Sequence, residues 1–320
     1  MRNQAFDSVR GWLIVSVIVG HIVLGSIHNQ VVRYAIYAVH MPLFIALTGY
    51  LINTNKLFEL SFQQTAARYW SRLVVPFIPA FVFFTGILIV HAAIEGRLSP
   101  ALFVAYLTKP YYHLWFVPTL LLWVIGLVVL LKTRIPLLVV CVLSAPLAVA
   151  WSGLEMSFIP TVLLSKKVFF YAYFFFLGVV CRSCLDNWRT LVQRMRIAIV
   201  VLVVVCAVFY MLYCGKPSTS LSALAWFTLN TCLVFLLLDW ILTSSESRQP
   251  KMLTLMGRHS LPIYLWHVLP MFLLKGFGVH HSAPWLYYLI SISFCICLVF
   301  AVAKLENRSR FLDRWFYGLV

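Results

Sequence analysis

Arg10 and His21 bracket ten residues, Gly11 to Gly20, at the start of the first apolar stretch. At about 100° per residue, eleven steps return both side chains to one helix face, about 16 Å apart along the axis. Arginine supplies a fixed cation whose planar fork of donors suits phosphate. Histidine supplies a nitrogen that takes and returns a proton near neutral pH. A cation near a membrane surface and an imidazole near the midplane suit a long anionic donor. Its phosphates would stay at the surface while its reactive end reaches inward. Asp7 lies three residues before Arg10 and can pair with it across one turn, holding the guanidinium in place. His40 lies about nine residues from the outer start of the second apolar stretch, so His21 and His40 reach similar depths from opposite directions, roughly 13–15 Å in. A lone buried histidine is more often a helix-packing hydrogen bond. Two at one depth, one of them in register with an arginine, argue for chemistry instead.

The elements that must hold these residues are transmembrane helices. The chain has 320 residues, 62% of them hydrophobic and 11% charged, with a mean hydropathy of +0.93. A soluble domain carries about 25% charged residues. Apolar runs near the length needed to cross a hydrocarbon core recur throughout. The pattern predicts an all-α, polytopic transmembrane bundle of about ten spans, at about 11–28, 31–52, 73–94, 112–131, 135–151, 167–182, 197–214, 221–242, 260–274 and 285–303. The fifth, sixth and ninth are short. The whole chain, 1–320, reads as one integral-membrane domain with no appended soluble domain.

With the N-terminus cytoplasmic, 18 of the 25 Lys and Arg fall on the inner side and seven on the outer, so both termini are predicted to be cytoplasmic. That asymmetry also accounts for the net charge of +16 without nucleic acid as a partner. The tail from Lys304 through Arg314, Trp315, Phe316 and Tyr317 reads as a basic-aromatic interfacial anchor. The first span is long for the apolar region of a signal peptide, no small-residue cleavage site stands out, and cleavage would discard Arg10 and His21, so a cleaved signal peptide is not expected. Six of the eight cysteines lie inside spans, and Cys181-x-x-Cys184 stands alone, so neither disulfides nor a metal site are expected.

Four motifs then occur in order. Asp7-x-x-Arg10-Gly11 with His21 beyond it resembles the N-terminal signature of the acyltransferase family 3 membrane proteins, which include O-antigen and fucose O-acetylases. His40-Met41-Pro42-Leu43-Phe44 running to Thr48-Gly49-Tyr50-Leu51 resembles that family's HMPLFFFLSGYL stretch. His113-Leu114-Trp115-Phe116-Val117 resembles its HLWFL segment, and Ser260-Leu261-Pro262-Ile263-Tyr264-Leu265-Trp266-His267 its SLPIYLLH segment. The resemblance implies a multi-pass acyltransferase of the bacterial inner membrane. Its donor would be acetyl-coenzyme A or another short acyl-coenzyme A, taken from the cytoplasm. Its acceptor would be a hydroxyl of a sugar, polysaccharide or lipid-linked glycan. No permanently bound cofactor is implied.

In these terms Arg10 would engage the donor and His21 would be catalytic, as general base or through an acyl-histidine, with His40 assisting. The pantetheine arm matches the Arg10–His21 separation. Asp7, Arg68, Arg72 and His267 would serve the donor side. The family's pair is Arg-x-x-Arg, whereas Arg68 and Arg72 are four apart, and Thr48 replaces a common Ser. His267 is placed nearer the cytoplasmic side. His113 and Trp115, at the outer opening of the fourth span, would serve the acceptor, with Glu155, Lys166 and Lys167 nearby. Asn230 reads as a helix–helix bridge. Two rival classes remain: a transporter or flippase using His21 and His40 as a proton relay, and a structural subunit of a glycan-assembly complex. The first lacks the matched repeats that transporters tend to show.

Overall fold

The computed structural model describes residues 4–108, 110–111, 113–153, 167–244 and 249–319, and among these the regular structure is helical throughout. In chain order the helices are α1 (Gln4–Ile22), α2 (Val31–Tyr50), α3 (Thr54–Glu59), α4 (Phe62–Tyr69), α5 (Val75–Ile94) and α6 (Pro100–Thr108). They continue as α7 (Phe116–Lys132), α8 (Leu137–Gly153), α9 (Lys167–Ser183), α10 (Leu185–Arg194), α11 (Arg196–Met211) and α12 (Ser220–Thr243). The last are α13 (Lys251–Arg258), α14 (Ser260–Trp266), α15 (Leu269–Gly276), α16 (Val279–Ser282), α17 (Pro284–Leu305) and α18 (Arg310–Tyr317).

Five helical runs are individually long and apolar enough to cross a membrane: Gln4–Ile22, Val31–Tyr50, Phe62–Ile94, Ser220–Thr243 and Pro284–Leu305. A sixth arises if α9 and the helix beyond its bend count as one span. Helix occupies each of the ten stretches picked out by hydropathy, but α7, α8 and α11 are shorter apolar helices and the ninth stretch is broken. The first helix also starts and stops earlier than its apolar run. Asp7 sits in its first turn, where a carboxylate suits the positive end of the helix. It ends at Ile22, shortly before Gly25 takes a left-handed φ of 101°.

Proline decides the irregularities. Pro42 inside α2 has no N–H, so the Ala38 carbonyl one turn earlier has no acceptor role within the helix. Trp226 Nε1 and Asn230 Nδ2, both on α12, donate to that carbonyl at 2.7 and 3.0 Å. Asn230 is thus the bridge between two helices. Pro270 stands at the start of α15, and the chain passes from α14 to α15 through a turn at His267 and Val268. Carbonyls at such a break become available to side chains.

Two helix crossings bring backbone against backbone. A Cβ on Gly11 of α1 would lie 2.0 Å from the Leu253 carbonyl oxygen of α13, and one on Gly257 of α13 would lie 1.7 Å from that of Asp7. The crossing of α2 and α9 repeats the device, with Gly49 against Phe175 and Gly178 against Ala46. Small residues permit this approach where packing, rather than water exclusion, drives helix association.

Candidate active site

Two compartments follow one another along α1. The first is a cavity of about 520 Å³ at the Arg10 end, lined by the cations of Arg10, Lys56, Arg68, Arg72 and Arg258 and by one carboxylate, Glu306. Such a concentration of fixed positive charge in a concave wall favours a polyanion.

Local structure explains each cation. The Ser61–Gln64 capping box fixes the start of α4, which delivers Arg68 in its last turn. A π-helical turn over Trp70–Val74 follows and carries Arg72. That wide turn takes up the extra residue that separates Arg68 and Arg72 from a three-residue spacing, and both still line the cavity. Arg258 ends α13 and holds its Nε 3.7 Å from Asp7 Oδ2. Asp7 is itself buried behind the wall, so its carboxylate restrains a lining cation rather than lining the cavity. Glu306 lies 3.7 Å from His259 Nε2. Beside it Tyr317 donates its hydroxyl to the Val302 carbonyl. Burial, then Glu306 and Asp313, push that phenol up to about 12, so it stays protonated.

The second compartment is a triangle of histidine rings. His21 and His267 have centroids 5.2 Å apart, His113 and His267 5.6 Å, and His21 and His113 6.5 Å. His267 is fully buried and His113 is 2% exposed. The sequence reading put His113 at an outer opening and His267 toward the cytoplasmic side. The structure instead sets both beside His21, because the α14–α15 break turns His267 inward and His113 lies in the turn preceding α7.

Backbone carbonyls fix two tautomers. His267 Nδ1 donates to the Tyr264 carbonyl at 2.8 Å, and His113 Nε2 donates to the Leu265 carbonyl at 3.1 Å. A carbonyl only accepts, so in the neutral rings the other nitrogens carry lone pairs. Those nitrogens, His267 Nε2 and His113 Nδ1, are buried and without a hydrogen-bond partner among the described residues. Groups of this kind are where a substrate proton or hydroxyl can be received.

His40 stands next to the triangle, with Tyr37 between it and His21. The Tyr37 ring lies 5.0 Å from that of His40, and its hydroxyl lies 3.5 Å from His21 Nδ1. His40 Nδ1 donates to the Ile36 carbonyl at 2.7 Å. The Arg33 guanidinium stands 5.5 Å over the Tyr37 ring and donates to the Gly25 carbonyl. Tyr37, Lys56 and Arg258 escaped the sequence reading as site residues. Tyr37 carried one usable signal, its position three residues before His40 on the same helix face.

An aromatic wall separates the compartments. Phe44, Phe116 and Tyr264 line the cavity, with Phe44 to Phe116 at 5.5 Å and Phe116 to Tyr264 at 5.7 Å, each edge to face. Trp115 stacks on Tyr171 at 5.5 Å, under the Lys167 ammonium at 4.4 Å. Glu155 and Lys166 lie outside the described residues.

Residues 3–304 match a family model described as an acyltransferase domain. The chain belongs to acyltransferase family 3, and its apolar helices make it a membrane-embedded member. Over 84 residues it is 32% identical to the nodulation protein NolL of Sinorhizobium fredii, covering 24% of this chain and 23% of that protein. It is equally similar to the nodulation protein NolL of Mesorhizobium japonicum, covering 24% and 22%. The chain thus matches under a quarter of the length of these curated relatives. No solved structure matches it.

Proposed function

We propose that this protein is a membrane O-acyltransferase of the bacterial inner membrane, moving an acetyl group from cytoplasmic acetyl-coenzyme A to a hydroxyl of a sugar, polysaccharide or lipid-linked glycan. The observation that carries the reading is the order of compartments along α1: a five-cation cavity, an aromatic wall, then three histidines. A donor with a phosphate-bearing end and a thioester at the tip of a long arm fits that order. Arg10, Arg68 and Arg72, with Arg258 restrained by Asp7, would hold the phosphates. The thioester would lie toward His21.

His21 would act as general base. It takes the proton of the acceptor hydroxyl as that oxygen attacks the thioester carbonyl, forming the ester bond. The carbon–sulfur bond breaks, and the coenzyme A thiolate leaves and recovers the proton from the imidazolium. The lone pairs of His267 and His113 would lie beside the His21 ring, where they can accept from the second N–H of the imidazolium and stabilise its charge. Tyr37 and His40 would orient His21, and Trp115 offers an aromatic face to a sugar ring.

The test uses protein purified in lipid with radiolabelled acetyl-coenzyme A and a panel of glycan extracts, following thiol release and label transfer. Wild type is expected to move label to a glycan hydroxyl, and His21→Ala to lower turnover by roughly 10²–10⁴-fold with the fold intact. Purified wild type that neither binds coenzyme A nor transfers label would refute the proposal.

A further inference from the structure

Tyr264 belongs to both compartments. Its ring lines the cationic cavity, and its centroid lies 6.0 Å from those of both His113 and His267. It is 6% exposed, and its hydroxyl donates to the His113 carbonyl. Phe116 braces it on the cavity side. Leu265, the next residue, accepts from the His113 ring, so Tyr264 and Leu265 tie α14 to the segment before α7 at two points. The three histidines of the triangle are not among the residues that line the cavity, and Tyr264 is a lining residue whose ring also stands beside two of them.

We infer that Tyr264 sets the upper limit on acyl-chain length, its ring filling the volume into which acyl carbons beyond acetyl would extend. The inference rests on the acyltransferase reading and deepens it. A donor seated by its phosphates at Arg10 and Arg72 brings its thioester up to the wall. An acetyl group is small enough to sit beside the ring and within reach of the histidines. A butyryl or hexanoyl chain has to displace a side chain that is pinned by a hydrogen bond at one end and by an edge-to-face contact with Phe116. Discrimination by steric exclusion grows with each methylene, by about tenfold or more.

The experiment compares thiol release from acetyl-, butyryl- and hexanoyl-coenzyme A by wild type, Tyr264→Phe, Tyr264→Leu and Tyr264→Ala in lipid, with the same glycan acceptors. Wild type is expected to favour acetyl over butyryl by at least about tenfold. Tyr264→Phe keeps the ring and is expected to keep that ranking, whatever its overall rate. Tyr264→Leu and Tyr264→Ala are expected to bring butyryl and hexanoyl level with acetyl or above it. The leucine variant retains more of the buried volume and guards against failure of the alanine variant to fold. Either opened variant binding coenzyme A yet keeping the wild-type ranking would overturn the inference, as would a wild type that accepts hexanoyl as readily as acetyl. Wild type transferring no acyl group from any of the three donors would overturn the acyltransferase reading itself, and the size limit with it.

Discussion

At the scale of single residues, the contrast between Arg10 and Asp7 separates two kinds of donor binding. Arg10 lines the cavity, so on the proposed reading its guanidinium touches phosphate directly. A charge-assisted contact of about 1.5–3 kcal/mol predicts that Arg10→Ala raises the KM for acetyl-coenzyme A by roughly tenfold to a hundredfold, with kcat much less affected. Asp7 acts at one remove, through the 3.7 Å approach to Arg258 Nε. Asp7→Asn keeps the shape but removes the charge, so a smaller KM rise is expected, and combining it with Arg258→Ala should add little further. Steady-state kinetics of the two single variants and the double variant check this. A full additive loss in the double variant would show that the two residues do not act as a unit. Arg10 and His21 were readable as a pair because their relation is local, fixed by the pitch of one helix. The gathering of His113 and His267 around His21 was not, since it depends on residues 113 and 267 meeting across a bundle and on the tautomers that Leu265 and Tyr264 impose.

At the scale of elements, the glycines at helix crossings carry the site. The crossing of α1 with α13 puts Arg258 beside Asp7, and its closeness depends on Gly11 and Gly257. A methyl on Gly257 meets the Asp7 carbonyl, which is backbone and has no rotamer to escape through. Gly257→Ala is therefore expected to destabilise by at least about 1–3 kcal/mol and lower the melting temperature in detergent. Gly86→Ala is the control. A Cβ there meets nothing within 4 Å, so the change is expected to be neutral or mildly stabilising in α5. Equal melting temperatures for the two variants would contradict the crossing. The helical stretches were legible from hydropathy because an apolar run is a property of the chain itself. Their ends were less so. The first helix extends back to Gln4 over a polar turn that hydropathy ignores, where the Asp7 carboxylate suits the positive end of the helix, and the ninth stretch breaks where Pro270 withholds an N–H. The π turn at Trp70–Val74 left no mark on the hydropathy pattern. Its only trace was the spacing of Arg68 and Arg72.

At the scale of the whole molecule, sidedness is the remaining prediction, because the arrangement works only if the five-cation cavity faces the compartment that holds the donor. The excess of Lys and Arg on the segments that carry Arg10, Lys56, Arg68, Arg72 and Arg258 predicts, by the positive-inside rule, that the cavity faces the cytoplasm. Lys56 lines the cavity and is exposed, so a cysteine there reports on both its side and its occupancy. In a background freed of the exposed Cys184 and Cys297 and of Cys214, Lys56→Cys is expected to react with a membrane-impermeant maleimide in inside-out vesicles and not in right-side-out ones. Lys216→Cys, between α11 and α12, should show the opposite pattern. Adding coenzyme A to the inside-out vesicles should slow labelling at position 56 and leave an unrelated cytoplasmic site such as Lys251→Cys unchanged. Reversed labelling of positions 56 and 216 would invert the topology and place the cations where no cytoplasmic donor can reach them. Correct sidedness without protection would keep the topology and remove the cavity from donor binding, leaving the histidine triangle to be approached by another route.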